Sequence, residues 1–256
     1  MFISSALTAL ALALSSATQV AAHGGVLAYS IAGTWYQGFK AYNTPVGQVS
    51  IQREWGTPLS PCFENQLIPF QIPTDPNLSC NSNGASLGTG QLFATVAAGS
   101  KVTAYWNTWP HTIGPVMVYM AKCPSNCTTA TTSTLEWFKI EQAGLISGDY
   151  ANGTWAMGEL VANNNSWTTT IPATLPAGQY MLRHELLAIH TSDQPQFYPE
   201  CAQLILTGGG SSAPTSSYLV TLPGAYKASD PGVTLDIYAT PTFTNYTIPG
   251  PPVWQG

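Results

Sequence analysis

The sequence predicts an all-β protein, an immunoglobulin- or fibronectin-III-like β-sandwich with long surface loops and one or two short helices. Its 256 residues include 23 glycines and 20 prolines, which is typical of many turns rather than long helices. Hydrophobic residues make up 45% of the chain and charged residues only 7%, so the chain has enough apolar surface to form a core. Several short strand candidates separated by turns favour a sandwich over a helical bundle.

The strand candidates follow one another at short intervals. In Lys101–Trp106, apolar Val102 and Ala104 alternate with Thr103 and Tyr105, which is the period of a half-buried strand. The other candidates are residues 92–96, 116–120, 167–171, 179–189 and 201–207. These six segments account for most of the predicted sheet.

Residues 135–142 are the best candidate for a short helix. Leu135, Phe138 and Ile140 fall partly on one helical face, which favours a helix over a strand in this segment. Residues 35–79 show little periodicity and contain spaced prolines and glycines. We therefore expect a long surface loop there, and loops of that length usually carry function.

Residues 1–22 resemble a secretory signal peptide. An apolar run at residues 7–14 precedes the small residues Val20, Ala21 and Ala22, which suit signal-peptidase cleavage. A membrane anchor is the alternative, but the run is shorter than the roughly 20 residues that span a bilayer. Cleavage after Ala22 would leave residues 23–256 as a single domain with no appended binding module. We therefore expect a secreted, extracellular protein that begins with His23 and has no membrane partner.

The charge balance limits the kinds of molecule that the protein can bind. Seven Lys and Arg against twelve Asp and Glu give a net charge of −5, and this shortage of cations excludes a polybasic nucleic-acid surface. We expect a monomer without a nucleic-acid partner.

Cysteines and glycosylation motifs agree with export. Cys123 and Cys127 lie four residues apart, so they can close a small disulfide loop, and no second close pair of cysteines exists to complete a zinc site with them. The five cysteines leave at least one outside an intramolecular pair. Five Asn-x-Ser/Thr sequons fit a secretory route, at Asn77, Asn126, Asn152, Asn164 and Asn245.

The chain has only four histidines, His23, His111, His184 and His190. His184 and His190 lie six residues apart in a predicted strand, so they would be roughly 20 Å apart if fully extended and could not bind one ion directly. A lone histidine in an apolar strand is usually a hydrogen-bonded core residue, which is our interpretation of His184. His23 and His111 are then the best pair of metal ligands.

His23 has a second donor if it becomes the N-terminus. A free α-amine has a pKa near 8 and loses its proton readily to a metal. One amine and two imidazoles form a planar set of three nitrogens, and such a set with open positions suits copper.

Five separated motifs then resemble one family. They are His23-Gly24-Gly25-Val26, Trp109-Pro110-His111-Thr112-Ile113-Gly114-Pro115-Val116 with Tyr119 and Cys123, Gln179-Tyr180-Met181-Leu182-Arg183-His184-Glu185 leading to His190, Gln196-Phe197-Tyr198-Pro199-Glu200-Cys201, and a tail with Pro223-Gly224-Ala225-Tyr226, Asp230-Pro231-Gly232 and Ile248-Pro249-Gly250-Pro251. From His23 to the end, the chain resembles the fungal lytic polysaccharide monooxygenases of auxiliary activity family nine.

The resemblance implies one copper ion held by the amine and side chain of His23 and by His111, with Tyr198 as the axial residue. It also implies that His190 and Gln196 act beside the metal, so that the catalytic set is His190, Gln196 and Tyr198. Gln196 and Tyr198 are two residues apart and therefore share one strand face. Without the resemblance, Tyr198 would be interpreted as a core aromatic and Gln196 as a solvated turn residue.

The resemblance also implies disulfides between Cys80 and Cys201 and between Cys123 and Cys127, which leaves Cys62 as the free thiol.

The implied reaction is oxidative cleavage of β-1,4-glucan chains, cellulose above all, by hydrogen abstraction at C1 and/or C4. It needs copper, O2 or H2O2 as co-substrate, and an external reductant, either a small molecule or a redox protein. Tyr246 matches a surface tyrosine of the family that contacts the sugar chain, and Tyr42 is a further candidate. Ordinary exposed aromatics are the alternative for both, since apolar surface is common on any protein.

Two other classes of protein remain open. A glycoside hydrolase needs two carboxylates roughly 5–10 Å apart across the sugar, and the acids, among them Glu54, Glu64 and Glu185, form no recognisable pair. A non-catalytic secreted copper- or cellulose-binding relative would share the metal ligands but release no product.

Overall fold

Two β-sheets packed against each other form the protein, as the sequence predicts. The computed structural model describes residues 24–41, 43–56, 71–81 and 84–256. In this part of the chain the strands are β1 (Val26–Ile31), β2 (Thr34–Gln37), β3 (Ala94–Ala97), β4 (Lys101–Trp106), β5 (Val116–Lys122), β6 (Trp137–Ala143), β7 (Leu145–Ser147), β8 (Thr154–Trp155), β9 (Ser166–Thr170), β10 (Gly178–Ala188) and β11 (Gln196–Thr207), and the α-helix is α1 (Ala156–Ala162). The sheet orders are β2-β1-β4-β9 and β3-β11-β10-β5-β6, with β7 and β8 forming a separate ribbon. Strand β3 runs parallel to β11, and the other pairs are antiparallel.

The main core lies between the two sheets. Tyr29 and Val102 of the four-stranded sheet and Val118, Leu186 and Ala202 of the five-stranded sheet are fully buried in it. A second apolar cluster covers the opposite face of the five-stranded sheet with residues from the C-terminal segment. Strand β10 is therefore buried on both faces, and the two charged residues within it, Arg183 and Glu185, form an ion pair with each other. This double burial gives a rigid support to whatever lies at the end of β10.

The six predicted strands are all present, but the first hairpin was not predicted. Strands β1 and β2 pair through a tight turn at Ala32 and Gly33, both with positive φ. The register against β4 shifts between Val26 and Ala28, because a bulge there interrupts the alternation of inward and outward side chains. The sequence of β1 consequently lacks the period that would have indicated a strand.

The helix predicted at residues 135–142 is wrong. Most of this segment is strand β6, paired with β5 through a register shift between Val118 and Tyr119. Trp137, Phe138 and Lys139 are buried in succession because both faces of β6 are covered, so this segment lacks the alternation that indicates a strand. The helix in the described chain is α1, which buries Ala156, Met157 and Leu160.

The predicted long loop is largely irregular where it is described. Strand β2 occupies its first residues, a short 3-10 turn lies at Pro76–Leu78, and isolated bridges join Ser50 to Gln91 and Gln52 to Ala202. Residues 42 and 57–70 lie outside the described part of the chain.

Both predicted disulfides are confirmed. Cys80 is bonded to Cys201, with Cα atoms 5.3 Å apart, and fastens the end of the long loop to β11. Cys123 is bonded to Cys127 and closes the short loop after β5. Cys62 lies outside the described residues, as do the signal segment and His23. No helix within the described ranges is long and apolar enough to span a membrane.

Candidate metal centre

Four of the predicted site residues come together at one end of the five-stranded sheet. His190 follows the end of β10, and Gln196 begins β11, where it pairs with Ala188. Tyr198 is the next residue on the same face of β11 and lies opposite Leu186. The hairpin between β10 and β11 therefore supplies three of the side chains.

The fourth side chain, His111, comes from the loop between β4 and β5. Backbone bonds from Ile189 to Ile113 and from Leu187 to Pro115 tie this loop to the end of β10. Gly114 lies at φ +145°, and a Cβ atom there would overlap the carbonyl oxygen of Leu187. The close approach therefore requires glycine, and it brings His111 beside the hairpin.

The polar atoms of these side chains are within contact distance. The Tyr198 hydroxyl oxygen lies 3.4 Å from Nε2 of His111 and donates to Oε1 of Gln196 at 2.9 Å. The rings of His111 and His190 stack with centroids 4.2 Å apart and an interplanar angle of 21°. Tyr198 is 5% exposed, whereas His111, His190 and Gln196 are partly exposed, so the cluster reaches solvent from a buried base.

Trp109 supports the site by packing against two of its side chains, a role that sequence reasoning did not assign. Its indole packs edge-on against Tyr198, with centroids 4.7 Å apart, and against His111, with centroids 5.6 Å apart. Its backbone N–H donates to Oδ1 of Asn165 at 3.0 Å. The sequence feature that could have indicated this role is its position two residues before His111.

Burial sets the charge state of the site. It raises the pKa of Tyr198 far above the usual value for a phenol, so the hydroxyl stays neutral. It lowers the pKa of His190, so the imidazole is neutral near pH 7. Nδ1 of His190 is buried and has no hydrogen-bond partner among the described residues.

The described part of the chain holds no group of three or more His, Cys, Asp or Glu that could bind a metal. It supplies the partly exposed imidazole of His111, whose Nε2 atom lies 3.4 Å from the hydroxyl oxygen of Tyr198. Imidazole nitrogen with a phenol oxygen fits copper, but two donors do not complete a set. A complete set would need further nitrogen donors, and His23, which the sequence predicts as a ligand, is joined directly to the described segment that begins at Gly24.

Comparisons with known proteins identify the family. Residues 23–246 match the family model described as Auxiliary Activity family 9, formerly GH61. The chain belongs to this family. Lytic polysaccharide monooxygenases are oxidoreductases, and AA9 members are known as copper-dependent polysaccharide oxidases.

Curated AA9 relatives match over all or most of the chain. AA9 family lytic polysaccharide monooxygenase B of Heterobasidion irregulare (strain TC 32-1) is 68% identical over 256 residues, with all of both chains covered. The AA9 family lytic polysaccharide monooxygenase-like protein CEL1 of Agaricus bisporus is 52% identical over 242 residues, which are 93% of this chain and 72% of the relative.

Solved structures agree with the fold. The crystal structure of HiLPMO9B has a TM-score of 0.87 and 70% identity, and the match covers 91% of this chain and 100% of that one. A cellulose-active polysaccharide monooxygenase from M. thermophila has a TM-score of 0.81 and 37% identity over the same shares. The AA9 β-sandwich is therefore the fold of this chain.

The two tyrosines predicted to contact sugar are not both visible. Tyr42 lies outside the described residues. Tyr246 is half-buried, its hydroxyl donates to the carbonyl of Gly232 at 2.6 Å, and its ring packs edge-on against Trp155 with centroids 5.0 Å apart. These contacts hold the C-terminal segment of the AA9 domain, and a substrate role for Tyr246 stays a prediction.

Tyr238 was missed by sequence reasoning although it lies beside the site. Its side chain is 62% exposed and its hydroxyl donates to the backbone carbonyl of His190 at 2.9 Å. The backbone N–H of Tyr238 donates to the carboxylate of Asp236, which fixes the turn. The dipeptide Ile237-Tyr238 gives no sequence signal that the first side chain is buried and the second exposed.

His184 is a core residue of this AA9 domain, as interpreted from the sequence, but no described residue is hydrogen-bonded to its ring. It is 1% exposed and packs against Trp106 and Tyr29. Neither ring nitrogen has a hydrogen-bond partner among the described residues. Burial lowers its pKa to about 3, so the folded protein keeps this imidazole neutral.

We expect His184 to make the fold sensitive to acid. A base whose pKa falls on folding binds fewer protons when folded than when unfolded, so stability is lost as the pH falls from about 6.5 toward about 3. Denaturant unfolding of the wild-type protein and His184→Phe between pH 7 and pH 4 should diverge by up to about 1.4 kcal/mol per pH unit, with the variant less sensitive. Parallel curves would show that His184 does not titrate on unfolding.

Proposed function

We propose that this AA9 protein is a secreted, copper-dependent lytic polysaccharide monooxygenase that cleaves β-1,4-glucan chains of cellulose by hydrogen abstraction at C1 and/or C4. The observation that carries the proposal is the convergence of His111, Tyr198, Gln196 and His190 at one partly exposed end of the sheet. Their order along the chain is that of the family motifs, and the contact between Tyr198 and His111 joins residues 87 positions apart.

His23 and His111 would hold the copper ion, with the hydroxyl of Tyr198 adjacent to it. The α-amine and imidazole of an N-terminal His23 chelate through one residue, and His111 adds the third nitrogen. When bound, copper would supply the one-electron redox chemistry needed to use O2 or H2O2 with electrons from an external donor.

The protein's own groups prepare the surroundings of that ion. The neutral hydroxyl of Tyr198 is committed to Gln196, which fixes its orientation toward His111. Neutral His190 carries one N–H and one lone pair, and its ring lies parallel to His111. We assign to His190 and Gln196 the donation of hydrogen bonds at the open side of the site.

A crystalline substrate requires an open surface, because its chains cannot thread into a cleft. Tyr238 offers an exposed ring joined to the backbone of His190, and aromatic rings suit the apolar faces of sugars. We add Tyr238 to Tyr246 and Tyr42 as candidate contacts of the glucan surface. A small molecule or a redox protein would deliver electrons, and the protein would act as a monomer outside the cell.

Product analysis tests the function. The purified protein, loaded with copper, should release aldonic acids or C4-ketoaldoses from cellulose only when ascorbate and O2 or H2O2 are present. Reducing sugars without a reductant would indicate a hydrolase, although one acid considered for that role, Glu185, is buried in an ion pair. Copper binding without any product would indicate the non-catalytic relative.

We expect His190→Ala and Gln196→Ala to keep copper but to lower oxidative turnover by roughly 10–100-fold, the usual effect of losing a partner beside a metal site. Neither residue is among the proposed ligands, so Cu(II) affinity should change less than turnover. Turnover is measured as oxidised product per copper-loaded protein. Wild-type turnover in either variant would remove that residue from the proposed role.

A further inference from the structure

A buried carboxyl group beneath the site holds the start of strand β1. Glu200 is 2% exposed, and its Oε2 accepts hydrogen bonds from the backbone N–H of Val26 at 2.6 Å and from Nε2 of Gln52 at 2.7 Å. No cation lies within salt-bridge distance of it among the residues described. Burying a carboxyl group without a cation is costly, and the mechanism above does not use it.

The position of Glu200 connects it to the site. Gln196, Tyr198 and Glu200 are spaced by two residues on β11, so they form one row on one face of the strand. The first two belong to the candidate centre. The third binds Val26, which is three residues from His23 along the chain.

A second group holds the same segment from the other side. Asn107 follows the end of β4, and its Oδ1 accepts from the N–H of Gly25 at 2.9 Å. Its backbone N–H donates to the carbonyl of Gly25 at 3.1 Å. Asn107 precedes His111 by four residues, so one loop carries both this contact and the proposed ligand.

The fit around residues 24 and 25 leaves no room for side chains. A Cβ atom at Gly24 would overlap the amide of Asn107, and one at Gly25 would overlap the carboxyl group of Glu200. Both glycines are buried. The segment is therefore fixed through its peptide groups, by partners that touch it directly.

We propose that Glu200 and Asn107 are positioning residues that fix the peptide groups of residues 25 and 26, so that the amine and imidazole of His23 are placed against His111. The inference rests on the proposed function, in which His23 is a copper ligand. Gln52 supports Glu200 and holds a neighbouring segment through the N–H of Phe39 at 2.6 Å. Such outer partners orient ligands before the metal binds.

Copper titration of Glu200→Ala, Asn107→Ala and Glu200→Gln tests the proposal. We expect the two alanine variants to bind Cu(II) roughly 10–100-fold more weakly and to show altered copper hyperfine splitting in electron paramagnetic resonance spectra. Glu200→Gln should stay close to wild type, because an amide oxygen can accept both hydrogen bonds. Glu141→Ala is the control, since it removes another partly buried carboxyl group, bonded to Trp167 and Thr169 on a different part of the fold.

The outcomes separate the inference from the function. If the wild-type protein forms no tight nitrogen-rich Cu(II) complex, the proposed function fails. If the wild-type protein binds copper and both alanine variants keep its affinity and spectrum, the positioning role is overturned while the function stands. A lower melting temperature of the metal-free variants with unchanged affinity also overturns it. If Glu200→Ala shows no cooperative unfolding, the partly exposed Asn107→Ala decides in the same way.

Discussion

We expect a variant with one extra residue before His23 to lose copper-dependent oxidation of cellulose. The added residue converts the α-amine of His23 into an amide, which neither carries a titratable proton near neutral pH nor binds a metal as an amine does. Cu(II) affinity should fall by more than the roughly 10–100-fold that the loss of an outer partner costs. The electron paramagnetic resonance spectrum should lose its signature of three nitrogen ligands.

The control is a protein with one extra residue at the C-terminus, which leaves the α-amine of His23 free. Intact-mass analysis must first show that each protein begins where intended. Full copper-dependent activity of the N-terminally extended protein would contradict the proposed ligand set, whatever its stability. If the C-terminally extended protein lost as much copper-dependent activity, the loss would be due to protein handling rather than to the blocked amine.

The second prediction with a large effect concerns the stability of the fold, which depends on the buried ion pair of Arg183 and Glu185. Both are fully buried, and two guanidinium nitrogens donate to the carboxylate, each at 2.8 Å. Burial alone would lower the pKa of Arg183, but Glu185 outweighs it and raises the pKa, so the cation persists. Arg183 also donates to the carbonyls of Leu78 and Ser79, and Tyr226 donates to Glu185.

We therefore expect Glu185→Ala to lower the free energy of unfolding by about 3–5 kcal/mol, because it leaves a buried cation without its partner. In a domain of this size the melting temperature should fall by roughly 10 °C. Denaturant unfolding of the metal-free protein measures the change. The matched control is the double variant Arg183→Met with Glu185→Leu, which removes both charges and should recover most of the loss. A loss below about 1 kcal/mol in the single variant would show that the pair is not the main support of this region.

Particular elements show how far the sequence leads. Lys101–Trp106 was predicted with its observed bounds, because it alternates with period two and one of its faces is buried. Residues 135–142 were predicted as a helix, because Leu135, Phe138 and Ile140 fall partly on one helical face, but most of this segment is strand β6, which has a bulge against β5. The bulge depends on pairing with a strand from another part of the chain, and no local pattern records it.

The candidate site shows the same division. Trp109, His111 and Tyr198 could be found from motif spacing, but their ring contacts join the β4–β5 loop to β11. The roles of Tyr238 and Glu200 could not be predicted from the sequence. The role of Tyr238 depends on its exposure and that of Glu200 on its burial, and neither can be read from a motif. Tyr246 matched a surface residue by motif, yet its ring packs against Trp155 and Tyr150.

The sequence by itself determined the donor types, the family and the β-rich fold, because these follow from residue identity, spacing and hydrophobic period. Only the tertiary structure decided which side chains touch, which are buried and which hold the segment after His23. Those properties depend on contacts between residues far apart in the chain, such as Val26 with Glu200. The local sequence around either partner does not reveal such a contact.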